Sequence, residues 1–122
     1  MKARTKARKR ALDILFEADL KGISVEQAWS EADQTDEFVK FLVTGVASKQ
    51  AEIDQMISTA SSSWSIERMP AVDRNLLRLA IFELKNSTET PKAVVISEAI
   101  ELANTLSTDD SANFINGILA NI

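Results

Sequence analysis

Three side chains that carry much of enzyme and metal chemistry are missing from this sequence. Its 122 residues include no His, Cys or Tyr, which leaves no imidazole base, no thiolate nucleophile and no common soft metal ligand. No GxGxxG or P-loop spacing occurs either. Any catalysis would have to rely on Asp, Glu, Ser and Lys. We therefore expect a protein that is not an enzyme and that holds no metal or cofactor.

Glycine, proline and long apolar runs are also scarce. With 3 Gly, 2 Pro and 45% apolar residues, the composition is typical of a compact soluble protein. The length suits one domain, residues 1–122, with a single core. No apolar run approaches the roughly 18 residues of a membrane span, and no signal-peptide pattern follows the basic start. Together with the absence of Cys, these features favour a cytoplasmic protein.

Apolar residues recur with helical spacing almost throughout, and no stretch shows sustained period-2 alternation. A first helix is expected from near Lys6 to Lys21, with Gly22 as its left-handed C-terminal residue. Ser24 and Gln27 have the capping-box spacing that starts a second helix. Further helices are expected from around residues 35–36, over 72–84 with an apolar surface nearly all round, from Thr90-Pro91 to about Leu106, and after 107–110. The Ser-rich stretch 58–63 is the best candidate for a joint between subdomains.

Charge is distributed unevenly along the chain. The first ten residues, MKARTKARKR, hold six of the 14 Lys and Arg and none of the 18 Asp and Glu, so residues 11–122 carry a net charge of −10. The cations run into the first helix, where they oppose the helix dipole at a typical cost of about 0.3 kcal/mol or more each. A frayed, solubilising tail is the simpler interpretation. Positive charge placed where it disfavours folding indicates an anionic partner instead.

The anionic partner could be a nucleic acid or an acidic membrane surface. A membrane-surface helix would place Trp, Phe or Leu opposite its charges, whereas the uncharged residues among 2–10 are only Ala3, Thr5 and Ala7. Nucleic-acid phosphate therefore fits better than a membrane. The acidic remainder of the chain would repel polyanions in general and confine the contact to one edge.

Several segments in order along the chain resemble the NusB family of bacterial transcription antitermination factors. No single motif is specific, but the resemblance spans essentially the whole chain with compatible spacings. The matching residues are Ala7-Arg8 with ALDILF at 11–16, Gly45-Val46, LRLAIFEL at 77–84, Pro91, ISEAIELA at 96–103 and FINGIL at 114–119.

The resemblance implies an all-α bundle of about six to seven helices, in two small helical subdomains at about 1–63 and 64–122. Members of the family bind the boxA element of nascent RNA together with NusE, a small-subunit ribosomal protein. The pair joins RNA polymerase and other Nus factors and prevents premature termination on ribosomal RNA operons. The resemblance implies no enzymatic activity.

The same resemblance assigns RNA-binding residues. Asp110 and Phe114 match positions near the bound RNA, where an aromatic ring can stack on an unpaired base. Without the resemblance, Phe114 would be interpreted as core packing and Asp110 as an acid favoured at a helix start. The basic arm matches the arginine-rich RNA-binding N-terminus of the family, through Lys2, Arg4, Lys6, Arg8, Lys9 and Arg10.

Three other positions match family residues that face NusE, namely Phe16, Glu67 and Asp73. Taken alone, they would be interpreted as a core aromatic and two solvated acids. Glu98 and Glu101 lie on one helix face at i, i+3 and could bind a cation. With no His and no third ligand, we interpret them as a solvated stripe.

Two other functions stay open at this point. One is a homodimeric helical scaffold, in which the basic arm pairs with the acidic surface of a second copy; some family members self-associate. The other is an enzymatic function, suggested by the similar helical domain attached to certain ribosomal RNA methyltransferases. We expect no such activity, since the sequence has no cofactor motif and no room for a catalytic domain.

Overall fold

The computed structural model of the chain describes residues 2–62 and 64–122. Within these ranges all regular secondary structure is helical, which confirms the prediction of an all-α bundle. In the same ranges no helix is long and apolar enough to cross a membrane. The helices are α1 (Ala3–Lys21), α2 (Val25–Glu31), α3 (Glu37–Ala60), a 3₁₀ helix (Ile66–Arg68), α4 (Ala71–Asn86), α5 (Lys92–Leu106) and α6 (Asp109–Ala120).

The ends of α1 and α2 follow local signals in the sequence. Gly22 ends α1 with a φ of 66°, a left-handed conformation that glycine adopts without steric cost. Ser24 then caps α2, because its hydroxyl accepts a hydrogen bond from the amide of Gln27 at 3.0 Å. The start of α1 differs from the prediction. It begins at Ala3 rather than near Lys6, so most of the basic arm is helical.

The later helix ends are also set by short-range caps. The carboxylate of Asp36 accepts hydrogen bonds from the amides of Phe38 and Val39 at the start of α3, and its charge suits the positive end of the helix dipole. The hydroxyl of Thr108 caps α6 by accepting from the amide of Ser111. Pro91 differs slightly from expectation, since it is the N-cap residue of α5 rather than its first helical residue.

Helix α4 is the centre of the bundle and packs against α1, α3, α5 and α6. This confirms the inference from its nearly continuous apolar surface. It packs tightly against α3 at Gly45, where an added Cβ atom would lie 2.0 Å from Cζ of Phe82. Helix α4 contacts helices from both halves of the chain. The division into two subdomains at about residue 63 stays a prediction. The buried apolar residues of α4 are Leu76, Leu77, Leu79, Ala80, Ile81 and Phe82.

Candidate nucleic-acid interface

Three cations at the start of α1 face solvent. Lys2, Arg4 and Lys6 are all exposed. A guanidinium nitrogen of Arg4 donates to the carboxylate of Glu89 at 3.2 Å, but 48% and 76% of these two side chains is exposed. Ion pairs this exposed contribute little to stability. A phosphate group can therefore replace Glu89 on Arg4 at small cost, and all three cations are accessible to a polyanion.

The next cations of the arm, Lys9 and Arg10, make contacts within the protein. The ammonium group of Lys9 donates to both carboxylate oxygens of Asp13 at 2.8 Å. Arg10 donates one hydrogen bond to the carbonyl oxygen of Ala32 at 3.3 Å. A lysine has three N–H donors and an arginine five. Both side chains are partly exposed and keep donors that can reach an anion.

Arg8 differs from the other five, because only 5% of it is exposed. Its Nε and Nη2 atoms donate to the two carboxylate oxygens of Glu83 at 2.8 and 2.7 Å, and Nη1 donates to Glu98 at 2.8 Å. The hydrogen bonds from Arg8 to Glu83 raise the pKa of Arg8, although burial opposes the rise. The expectation that Arg8 contacts RNA therefore conflicts with the structure. Its guanidinium fixes α1 to α4 and α5 instead of facing solvent.

The carboxylate pair on α5 also departs from its interpretation as a solvated stripe. Glu98 is partly buried, and it accepts hydrogen bonds from Arg8 and from the hydroxyl of Thr5. Only Glu101 is exposed. Within residues 2–62 and 64–122, no group of three or more acidic side chains is arranged to hold a metal ion. Glu98 therefore belongs to the anchor of the basic arm.

Asp110 and Phe114 lie one turn apart at the start of α6. Asp110 is exposed and Phe114 is half-buried. The Phe114 ring packs against Trp64 with centroids 5.7 Å apart and planes tilted by 43°, while 48% of Trp64 remains exposed. Phe114 is thus part of an aromatic pair that reaches solvent. The role of Trp64 was not predicted, because no periodic pattern in the sequence connects residue 64 to α6.

The three residues assigned to the partner surface lie in different environments. Phe16 is half-buried on α1, and Glu67 is exposed in the 3₁₀ helix. Asp73 is only 1% exposed. Its carboxylate accepts hydrogen bonds from the hydroxyls of Ser107 at 3.0 Å and Ser111 at 2.7 Å. The interpretation of Asp73 as a solvated acid is wrong, and a partner-facing role conflicts with its burial, because its oxygens bind Ser107 in the α5–α6 connection and Ser111 in the first turn of α6.

The basic arm and the start of α6, which carries Asp110 and Phe114, lie towards opposite ends of α4. Arg8 is bound to Glu83, near the C-terminal end of α4, and Ser111 is bound to Asp73, near its N-terminal end. Ten residues of α-helix correspond to about 15 Å along the axis. A single strand that touches both the arm and Phe114 must therefore span about 15 Å or more.

A network of ion pairs also links three of the helices. Two guanidinium nitrogens of Arg74 donate to the carboxylate of Asp19 at 2.6 and 2.8 Å. Arg78 makes the equivalent pair with Asp54 at 2.8 and 3.0 Å. The Arg74 hydrogen bonds lower the pKa of Asp19, against a smaller opposing effect of burial. These pairs join α1, α3 and α4 into one rigid unit.

Comparison with known proteins places the whole fold in one family. A family model described as the NusB family matches residues 5–122. The chain belongs to the NusB family. The transcription antitermination protein NusB of Acidothermus cellulolyticus is 52% identical over 98% of this chain and 86% of the relative. The protein of the same name from a Nocardioides species is 47% identical over 100% of this chain and 94% of the relative.

Solved NusB structures have the same fold. T. maritima NusB superposes with a TM-score of 0.89 at 33% identity, covering 98% of this chain and 89% of that one. A second similar structure is that of the antitermination factors NusB and NusE in complex with dsRNA. The matching chain has a TM-score of 0.86 at 27% identity, covering 97% of this chain and 93% of that one.

Proposed function

We propose that this chain is a transcription antitermination factor that binds boxA-type single-stranded RNA together with the ribosomal protein NusE. The bound pair joins RNA polymerase and other Nus factors and prevents premature termination on ribosomal RNA operons in the cytoplasm. The observation that carries this proposal is the match of the NusB family over residues 5–122. Relatives bear the name transcription antitermination protein, and a similar chain forms a complex with NusE and dsRNA.

The charge distribution supports an RNA partner. Helix α1 and its N-cap residue present five cations with accessible N–H groups, while residues 11–122 carry a net charge of −10. Phosphates that contact these cations release counterions, which supplies affinity without reading the base sequence. Asp110 and Phe114 form the other end of the site, where Phe114 stacks on an unpaired base. The five cations are Lys2, Arg4, Lys6, Lys9 and Arg10.

The partner surface is proposed around Phe16 and Glu67. Phe16 offers a partly accessible aromatic ring, and Glu67 is an exposed acid that a basic residue of NusE can reach. Asp73 contributes indirectly, because it holds the start of α6 through Ser107 and Ser111. The activity is binding alone, with no catalytic step.

The experiment is a titration of labelled boxA RNA by fluorescence polarisation, with and without NusE. We expect NusE to tighten binding to boxA RNA more than binding to an RNA of the same composition in shuffled order. Equal affinity for both RNAs in the presence of NusE contradicts the proposal. A scan of purified chain by light scattering at low and high salt tests the competing homodimer, which requires a mass that falls as salt breaks the arm away from the acidic surface.

A further inference from the structure

Two phenylalanine rings lie beside the basic arm, in a region for which no functional site was predicted. Phe38 and Phe41 share one face at the start of α3, with ring centroids 6.1 Å apart and planes 23° from parallel. The guanidinium of Arg4 lies 4.3 Å from the centroid of Phe38. The centroid of the Phe41 ring also lies 5.1 Å from that of Phe82, with planes tilted by 57°. A row of aromatic rings thus leads from the arm into the bundle.

Phe41 is the member of this row that reaches solvent, with 39% of the residue exposed. It lines a groove of about 370 Å³ between α3 and the α4–α5 connection, together with Arg4, Glu37, Phe38 and residues 86–89. We refer to this as the Phe41 groove. One wall is aromatic, the other is polar, and Arg4 lies at the edge that continues into the basic arm.

An isolated exposed apolar residue needs no explanation. Leu20, for example, is 64% exposed at the far end of α1. Phe41 differs because a cation and a second ring adjoin it. Proteins that bind single-stranded nucleic acid combine cations that follow the phosphates with aromatic side chains on which bases stack. The Phe41 groove has both elements within one cavity.

The charges around the groove favour a base inside it and a phosphate at its edge. Glu37 lies in the groove and disfavours a phosphate inside it, whereas a carboxylate accepts hydrogen bonds from the amino group of a base. Arg4 lies over the Phe38 ring, and its ion pair is with the exposed Glu89, so a phosphate at the edge can take the place of Glu89. The groove therefore suits the base, and Arg4 suits the phosphate that follows it.

We propose that the Phe41 groove receives one unpaired RNA base, stacked on the Phe41 ring, while Arg4 moves from Glu89 to the adjacent phosphate. The inference rests on the RNA-binding function proposed above and adds a subsite to it. This subsite lies at the arm end of α4, away from Phe114. A nucleotide bound here extends the RNA path across the start of α3.

The test compares Phe41→Leu and Phe41→Tyr in the polarisation titration with boxA RNA and NusE. Leucine keeps the apolar contact with Phe82 but removes the ring face, so binding weakens about five- to hundredfold. Tyrosine keeps the ring face and binds within about twofold of the parent. Leu20→Ala removes an exposed apolar side chain at the far end of α1; it is titrated without NusE, because Leu20 lies one turn from Phe16, and it binds RNA as the parent does. Thermal unfolding shows whether each variant is folded.

A second pair of variants tests the movement of Arg4. Glu89→Gln removes the carboxylate that competes with phosphate, and we expect RNA binding to tighten about two- to fivefold. Glu52→Gln changes the net charge equally from an exposed position far along α3 and leaves the affinity unchanged. Equal gains in both variants show a general charge effect and overturn this part of the proposal.

The outcomes separate this inference from the function on which it rests. If the parent chain does not bind boxA RNA, the proposed function fails. If the parent binds and folded Phe41→Leu binds equally well, the function stands and the groove is not an RNA subsite. If Phe41→Leu loses only its affinity for NusE, measured without RNA, the groove receives a protein and the inference is wrong.

Discussion

Arg8 and Glu83 form a buried, bidentate ion pair, with Nε and Nη2 of Arg8 lying 2.8 and 2.7 Å from the two carboxylate oxygens of Glu83. The pair joins the second turn of α1 to the last turn of α4. It explains how a helix start with cations that oppose its dipole stays ordered. Arg8, the residue that anchors α1, is itself one of those cations, while the other cations of the basic arm reach solvent.

The first prediction concerns the stability that this pair provides. Replacing Arg8 by Gln leaves the Glu83 carboxylate buried without its partner, and the free energy of unfolding should fall by about 3–5 kcal/mol. Arg10→Gln is the matched control, since Arg10 is partly exposed and donates to one carbonyl; it should change stability by less than about 1.5 kcal/mol. Urea unfolding followed by circular dichroism measures both. If the two variants are equally stable, Arg8 does not act as a buried anchor for α1.

A second prediction uses two glycines in helices. A Cβ atom at Gly45 would lie 2.0 Å from Cζ of Phe82, whereas nothing lies within 4 Å of one at Gly117. Gly45→Ala should therefore destabilise the chain by about 1–3 kcal/mol through overpacking. Gly117→Ala should stabilise it by up to about 1 kcal/mol through helix propensity. Thermal unfolding measures both changes in stability. If both variants change stability in the same direction, the close approach of α3 and α4 is contradicted.

A third prediction concerns acid unfolding. The hydrogen bonds from Arg74 lower the pKa of Asp19 below its ordinary value of 3.8. The folded chain thus binds this proton less tightly than the unfolded chain does. The stabilisation is complete above the unfolded value of 3.8 and is lost as the pH falls through the lower folded value.

Asp19→Asn should therefore be less stable at neutral pH and should lose less stability as the pH falls below about 4. Urea midpoints at a series of pH values measure this. A parallel profile for Asp19→Asn and the parent would show that Asp19 does not contribute to it.

A fourth prediction uses tryptophan fluorescence at the α6 surface. The chain has two Trp residues, so Trp29→Phe leaves Trp64 as the only reporter. Trp64 packs against Phe114 at 5.7 Å. If Phe114 stacks on a base, boxA RNA should change the Trp64 emission at the same concentrations that saturate polarisation. RNA binding with unchanged emission would place the strand away from Phe114.

Most helix boundaries could be predicted because their signals are local; the start of α1 could not, and it has no side-chain cap. Gly22, Ser24 and Asp36 each act on amides or carbonyls within five residues along the chain. The central position of α4 could also be predicted, because a helix with apolar residues nearly all round has to be enclosed.

The candidate site was only partly predictable, because burial of a charge depends on distant partners. Arg8 pairs with a residue 75 positions away, and Asp73 binds hydroxyls 34 and 38 positions away. In the sequence, Arg8 looks like its five basic neighbours and Asp73 looks like a helix-start acid. The contacts of Phe41 with Phe82 and of Trp64 with Phe114 were missed because they also join residues far apart along the chain.

The central claim is that the exposed start of α1 binds RNA phosphates while Arg8 does not. The most direct measurement is the salt dependence of boxA affinity in the presence of NusE. Five phosphate contacts predict a slope of log K against log salt near about −3.5, and Lys6→Ala should reduce its magnitude by about 0.7. The neutral pair Arg8→Gln with Glu83→Gln should leave the slope unchanged. A parent slope near zero, or a slope that falls with the Arg8 pair and not with Lys6→Ala, would contradict the account.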